Sequence, residues 1–109
     1  MTLQEEILED LTLELSSDDD FDANALQIKV KNAYKEVKAR RNYKASSMNE
    51  EEIEADMQNY YSNILNIARY DYNQIGAEGQ KAHTESSIVR SWVDRNELFV
   101  GVYAFVEII

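Results

Sequence analysis

The 109-residue chain carries 21 acidic and 11 basic residues, a net charge of -10, with 44% hydrophobic and 29% charged residues, three glycines, no proline and no cysteine. This balance supplies enough apolar surface for one folded domain and separates the chain from the disordered class, while the missing cysteines exclude disulfides and thiolate chemistry, argue against zinc and suit a reducing cytoplasm. The opening TLQEEILEDL is acidic where a secretory signal would be basic and then apolar, and no run of about 18 apolar residues occurs, so a soluble chain without membrane contact is expected.

Thr2 and Glu5 have the spacing of a capping box, and Leu3, Ile7, Leu8, Leu11 and Leu15 then recur on one side of a first helix that ends near Ser16. The acidic SSDDDFD that follows alternates Asp18, Asp20 and Asp22 as a calcium loop does. Its sixth position is Ala23 instead of glycine and its twelfth Lys29 instead of glutamate, which rejects an EF-hand. Asp22 reads instead as the N-cap of a second helix over about 23–43, whose packed stripe is Leu26, Val30, Ala33, Tyr34, Val37 and Arg41.

Seven of the eleven basic residues fall between Lys29 and Lys44, against the single acid Glu36, so this segment carries +6 and the remainder -16. Most of these cations lie off the packed stripe, on the outer face of the helix. Lys29, Lys31, Lys35, Lys38 and Arg40 are therefore candidates for an electrostatic face that meets acidic surface on another copy of the chain, or for a solvated face with no specific role.

A second capping box, Ser47 to Glu50, is expected to open a long central helix over about 48–75, with Ile53, Met57, Tyr60, Tyr61, Ile64, Leu65, Ile67, Ala68, Tyr72 and Ile75 on a broad apolar arc. Asp71 falls inside that arc, where a carboxylate needs a partner, and Arg41 or Arg90 is the expected one. Gly76 suits a left-handed helix stop, so a polar surface loop is expected over 76–93, with Ile88, Val89 and Trp92 as a short strand or docked extended piece. Asp94 would cap a last helix carrying Leu98, Phe99, Val102 and Phe105 to about Ala104, followed by an extended tail; the β-branched and aromatic VYAFVEII reads equally as a strand. The expected fold is a mainly α, single-domain bundle of about four helices with a long central helix, an extended loop and a short C-terminal helix or strand.

Tyr72-Asn73-Gln74-Ile75-Gly76-Ala77-Glu78-Gly79, then His83-Thr84-Glu85, then Ile88-Val89-Arg90-Ser91-Trp92, together resemble the head-tail connector, or adaptor, family of tailed bacteriophages across about twenty residues without a gap. The family pattern is tyrosine-asparagine, two residues and Gly-Ala-Glu-Gly, followed by a histidine-serine-glutamate stretch and an isoleucine-serine-arginine-serine-aromatic close. Ser86 and Ser87 stand where the family often has glycine, and the family's frequent C-terminal proline is missing here.

The resemblance implies a structural virion protein without enzymatic activity or cofactor. Such a protein forms a dodecameric ring below the portal protein in the neck between head and tail, after synthesis in the bacterial host cytoplasm, and joins the portal to a head-closure or tail protein. Double-stranded DNA would pass through the ring without specific binding, because phosphate adhesion requires cations that an acidic lumen lacks. Carried onto this chain, Gly76, Ala77, Glu78, Gly79, His83, Glu85, Ile88, Arg90 and Trp92 become subunit or downstream contacts. Phe105, Val106, Ile108 and Ile109 become a portal-docking end, or else close the domain's own core.

Three other readings are distinguishable. A hydrolase would recruit His83, Ser86 or Ser87, and Asp94, which lack fixed geometry and oxyanion donors in a polar segment. A small helical nucleic-acid-binding protein would use the Lys29 to Lys44 helix with Tyr34 and Tyr43. A stopper or terminator ring would keep the phage neck and change the position within it.

Overall fold

A computed structural model describes residues 1–79 and 95–106, with backbone alone for 75–79. The described chain is mainly helical and contains no strand: α1 (Leu3–Leu15), α2 (Ala23–Arg41), α3 (Glu50–Met57) and α4 (Tyr61–Gly79), followed by a 3₁₀ turn at Arg95–Phe99.

Local chemistry accounts for the helix starts. Thr2 Oγ1 accepts from the Glu5 amide at 3.1 Å while Glu5 Oε1 accepts from the Thr2 amide at 2.9 Å, the reciprocal box expected for α1. Asp22 Oδ1 accepts from the amides of Asn24 and Ala25 and opens α2. At the other end Asn42 adopts φ 53 and ψ 56, one of the few non-glycine residues suited to that left-handed region, and stops α2 before the expected residue 43.

The central helix differs from expectation in three ways. Its capping box is formed by Asn49 and Glu52, not Ser47 and Glu50, because Asn49 has the extended backbone that lets its Oδ1 accept from the Glu52 amide at 2.8 Å. The single helix over 48–75 is divided into α3 and α4 by a 3₁₀ turn at Gln58–Tyr60, through which Met57, Gln58 and Tyr61 keep right-handed dihedrals. Gly76 does not stop the helix: α4 continues to Gly79, so the expected loop start at 76 is displaced. A helix-interior glycine costs only about 1 kcal/mol relative to alanine, so Gly76 weakens the helix without forbidding it, and no proline interrupts the ladder.

The core is the merger of the expected stripes. Leu3, Ile7 and Leu11 of α1 meet Leu26, Val30, Ala33, Tyr34 and Val37 of α2, with Ile53 and Met57 of α3 and Ile64, Ile67 and Ala68 of α4 all buried. Each fully buried leucine or isoleucine here contributes about 2 kcal/mol by transfer from water. Arg69 of α4 grips Glu14 of α1 through Nε and Nη2 at 2.6 and 2.8 Å, and Tyr61 donates to Asp10. The motif's Tyr72 also serves this fold, its hydroxyl accepting from the Asp22 amide at 2.9 Å and its ring 6.2 Å from Phe21.

The C-terminal helix to Ala104 is not formed. After the five-residue 3₁₀ turn, Gly101 takes φ +92, which breaks the helical path, and residues 102–106 have no regular structure. This strap is held where α2 ends: the Phe105 amide donates to the Arg41 carbonyl at 2.8 Å and Asn42 Nδ2 donates to the Phe105 carbonyl at 3.1 Å. It thereby satisfies a carbonyl that the helix terminus leaves without an intrahelical donor. Asn63 Nδ2 of α4 fixes the preceding turn by donating to the carbonyls of Leu98 and Val100 at 2.8 and 3.0 Å. Asp94, the expected cap of the missing helix, lies outside the described residues.

Candidate interaction surface

Two arginine centres set the shape of the exposed surface. Arg41 ends the packed stripe of α2 and is buried; its Nε and Nη2 donate to Asp56 Oδ2 of α3 at 3.1 and 2.8 Å, and its Nη1 donates to the Tyr103 carbonyl. Its guanidinium lies 4.3 Å from the Phe105 ring centre and 5.0 Å from that of Tyr60, so the strap covers a cation whose hydrogen bonds are largely satisfied. Tyr43 also donates to Asp56 Oδ2, at 2.6 Å. Burial pushes the Asp56 carboxyl up, but the bonds from Tyr43 and Arg41 outweigh it and hold the group below its ordinary value. Burial, then the bond to Asp56, raises the Tyr43 phenol to about 12.

The second centre resolves Asp71. Its partner is neither Arg41, which is committed to Asp56, nor the expected Arg90, which lies outside the described residues; it is Arg95, which also holds Glu36 of α2. The hydrogen bonds from Arg95 hold the Glu36 carboxyl below the ordinary range. Arg95 was not singled out in the sequence because a salt bridge between distant segments leaves no periodic trace.

The expected electrostatic face divides in two. Lys38 Nζ lies 5.9 Å from the Tyr34 ring centre, and Arg40 lies 3.7 Å from the Phe99 ring centre and 3.8 Å from Glu36, so both are engaged within the chain itself. Lys31 and Lys35 are exposed and Lys29 half-buried, and none of the three forms an ion pair with a described residue. The outward cationic face is therefore narrower than the sequence implied.

Of the motif residues, Gly76, Ala77, Glu78 and Gly79 form the last helical residues of α4, while His83, Glu85, Ile88, Arg90 and Trp92 lie outside the described residues. At the C-terminal end, Phe105 is half-buried with its ring 5.6 Å from Tyr43, and Val106 is exposed. Ile108 and Ile109 are likewise outside the described residues. Phe105 thus packs against its own domain, and the large apolar side chains exposed over 100–106 are Val100, Tyr103 and Val106.

Among the described residues, no group of three or more His, Asp or Glu side chains could hold a metal ion, and no helix is long and apolar enough to cross a membrane. What the geometry offers is a set of surfaces: a cationic face on α2, acidic faces on α1 and α3, and an apolar edge on the strap. Comparison with protein-family models, with curated proteins and with solved structures finds no match.

Proposed function

We propose that this chain is a structural subunit of the neck of a tailed bacteriophage, a head-tail connector that repeats as a dodecameric ring below the portal and joins it to a head-closure or tail protein. The observation that carries the reading is the uninterrupted motif from Tyr72 to Trp92. The helical architecture and the position of Tyr72–Gly79 at the end of α4 are compatible with it. Ring formation is supported by the segregation of charge. A subunit with a cationic α2 face and acidic α1 and α3 faces repeats by heterologous contacts, each copy placing one sign against the other.

In this role the subunit performs no reaction and needs no cofactor. The surplus of -10 per chain supports a lumen along which double-stranded DNA slides without adhering. Val106, Ile108 and Ile109 are assigned to portal docking, with Phe105 anchoring them to the subunit body. The segment from Gly76 to Arg90 is assigned to neighbouring subunits and the downstream ring. A virion-neck location follows, after synthesis in the bacterial cytoplasm.

Negative-stain imaging of the purified chain, alone and mixed with portal, tests the proposal. Added ring density on the portal face is expected, and a chain that never joins portal would overturn it. Lys29, Lys31 and Lys35, which form no ion pair with a described residue, favour one second reading, a nucleic-acid-binding module. Affinity for duplex DNA that falls steeply with salt would select that reading, because each phosphate contact releases a counterion.

A further inference from the structure

Two apolar residues break the helical register of the core stripes, and both are exposed. Leu13 lies off the Leu3, Ile7, Leu11, Leu15 row of α1 and is 75% exposed; Ile28 lies off the Leu26, Val30, Ala33, Val37 row of α2 and is 56% exposed. Elsewhere on these helices the large apolar side chains are buried or half-buried.

The surroundings of the two differ in sign. Leu13 belongs to a shallow groove of about 420 Å³ along the outside of α1, lined also by Met1, Glu5, Leu8, Glu9 and Thr12. It is apolar at its base and carries two carboxylates. Ile28 shares the outer face of α2 with Lys31 and Lys35, three and seven residues along the helix, hence a projecting apolar side chain flanked by exposed cations. The other outward position one turn along is the uncharged Asn32.

The geometry points to one occupant for the α1 groove: the outer face of α2 from a second copy of this chain, with Ile28 entering beside Leu8 and Leu13 and with Lys31 and Lys35 facing Glu5 and Glu9. Charge agrees in this pairing and in no other between these two faces, since groove on groove sets carboxylate against carboxylate and α2 on α2 sets cation against cation. The two faces are different patches, so the contact is heterologous. Every copy keeps one unfilled groove and one unfilled α2 face until the series closes. This inference rests on the ring reading for its closed form, but the contact itself is measurable without portal.

Complementary charge reversal tests it. One variant carries Lys31→Glu with Lys35→Glu and the other Glu9→Lys with Leu13→Lys; all four positions are exposed, and circular dichroism verifies that both variants fold. Sedimentation velocity of the wild type should show concentration-dependent self-association. That association should weaken between about 0.1 M and about 1 M salt, as the screening length shrinks from about 10 Å to about 3 Å. Each variant alone should associate about tenfold or more weakly, as opposed charges become like charges, and an equimolar mixture of the two should regain association because each supplies the face the other has inverted.

A wild type that stays monomeric under all conditions, variants that associate as the wild type does, or a mixture no stronger than its parts would each overturn the contact. Addition to portal is scored separately. Variants that keep self-association and lose portal binding would assign the groove to the portal and end this inference. Loss of the contact with portal addition intact leaves the connector reading standing.

Discussion

Arg95 holds Asp71 through two hydrogen bonds, Nε to Oδ1 at 2.8 Å and Nη2 to Oδ2 at 2.7 Å, and holds Glu36 through a second fork with both distances at 2.8 Å. One cation thereby joins α2, α4 and the turn that starts the C-terminal strap. The three side chains are between 19% and 35% exposed, so solvent screens the interaction only in part. Arg95→Ala leaves Asp71 without its cation and Glu36 with only the longer Arg40 contact at 3.8 Å, and is expected to cost about 1–2 kcal/mol of unfolding free energy by urea denaturation. A double-mutant cycle with Asp71→Asn should return a coupling of about 1 kcal/mol, and a coupling of zero would contradict the bridge.

The more buried pair should cost more to break. Asp56→Ala strands the Arg41 guanidinium among Tyr60, Tyr43 and Phe105 without its carboxylate, and a loss of about 3 kcal/mol is expected. Asp56→Asn retains the size and one acceptor and should cost less than half of that. Equal effects of the two substitutions would show that the charge, which both remove, and not the size or the acceptor that Asn keeps, is what Asp56 supplies.

The stripes of α1 and α2 were legible because a helix with one packed face writes a period of about 3.6 residues into its sequence. The six stripe positions of α2, Arg41 included, are its six buried residues. The failures come where local pattern and tertiary context compete. Gly76 has the chemistry of a stop, but the helix continues through it. Leu98, Phe99, Val102 and Phe105 also fit a helix, yet Gly101 turns at positive φ and the chain instead caps α2 through Phe105. The need of Asp71 for a cation was legible without the cation's address, since pairing across 24 residues depends on where the C-terminal turn docks. Leu13 of α1 and Ile28 of α2 left only the faint signal of apolar residues out of register with their stripes.

Acid and alkali should unfold the chain through different groups. The carboxyls of Glu14, Glu36 and Asp56 are held below their ordinary values, mainly by Arg69 for Glu14 and Arg95 for Glu36, and by Tyr43 and Arg41 against burial for Asp56. Folded values below unfolded ones mean that this stability is present above about pH 4 and is lost as pH falls through the folded values. Tyr43, through burial and Asp56, and Tyr61, through its bond to Asp10, are raised to about 12. Their contribution is complete below the unfolded phenol value of about 10 and is lost as pH rises towards 12. Thermal melts from pH 2 to pH 12 should show a plateau between these limits; in Tyr43→Phe the alkaline fall should be shallower, and an unchanged fall would remove Tyr43 from the account.

Gly101 separates backbone strain from steric contact. A Cβ built at this position meets nothing within 4 Å, but φ is +92. Gly101→Ala should therefore cost about 1 kcal/mol or somewhat more from conformation alone, without a packing defect. Because the strap is what moves, the loss should appear with faster amide exchange at Phe105, whose N–H bonds Arg41. Full stability in Gly101→Ala would mean that the strap accommodates a different turn.

Deleting Ala82 to Ser86 separates the subunit's own fold from its assembly. The segment between Gly79 and Arg95 starts from a helix packed in the body and ends at a residue fixed by Asp71 and Glu36, with Asn63 holding the turn beyond. Gly79 lies about 12 Å along α4 from Asp71 at about 1.5 Å per residue, and the ten residues left after deletion can span about 33 Å, so the return to Arg95 remains within reach. Removing five residues from the connection between these ends changes closure entropy by well under 1 kcal/mol. The free chain should therefore keep its helicity and stay within about 0.5 kcal/mol of the wild-type stability, while the ring formation on portal that the proposed connector role requires should be abolished. A collapse of subunit stability would assign these residues to the domain's own fold, and a deletion variant that still builds rings would remove the segment from the assembly contacts.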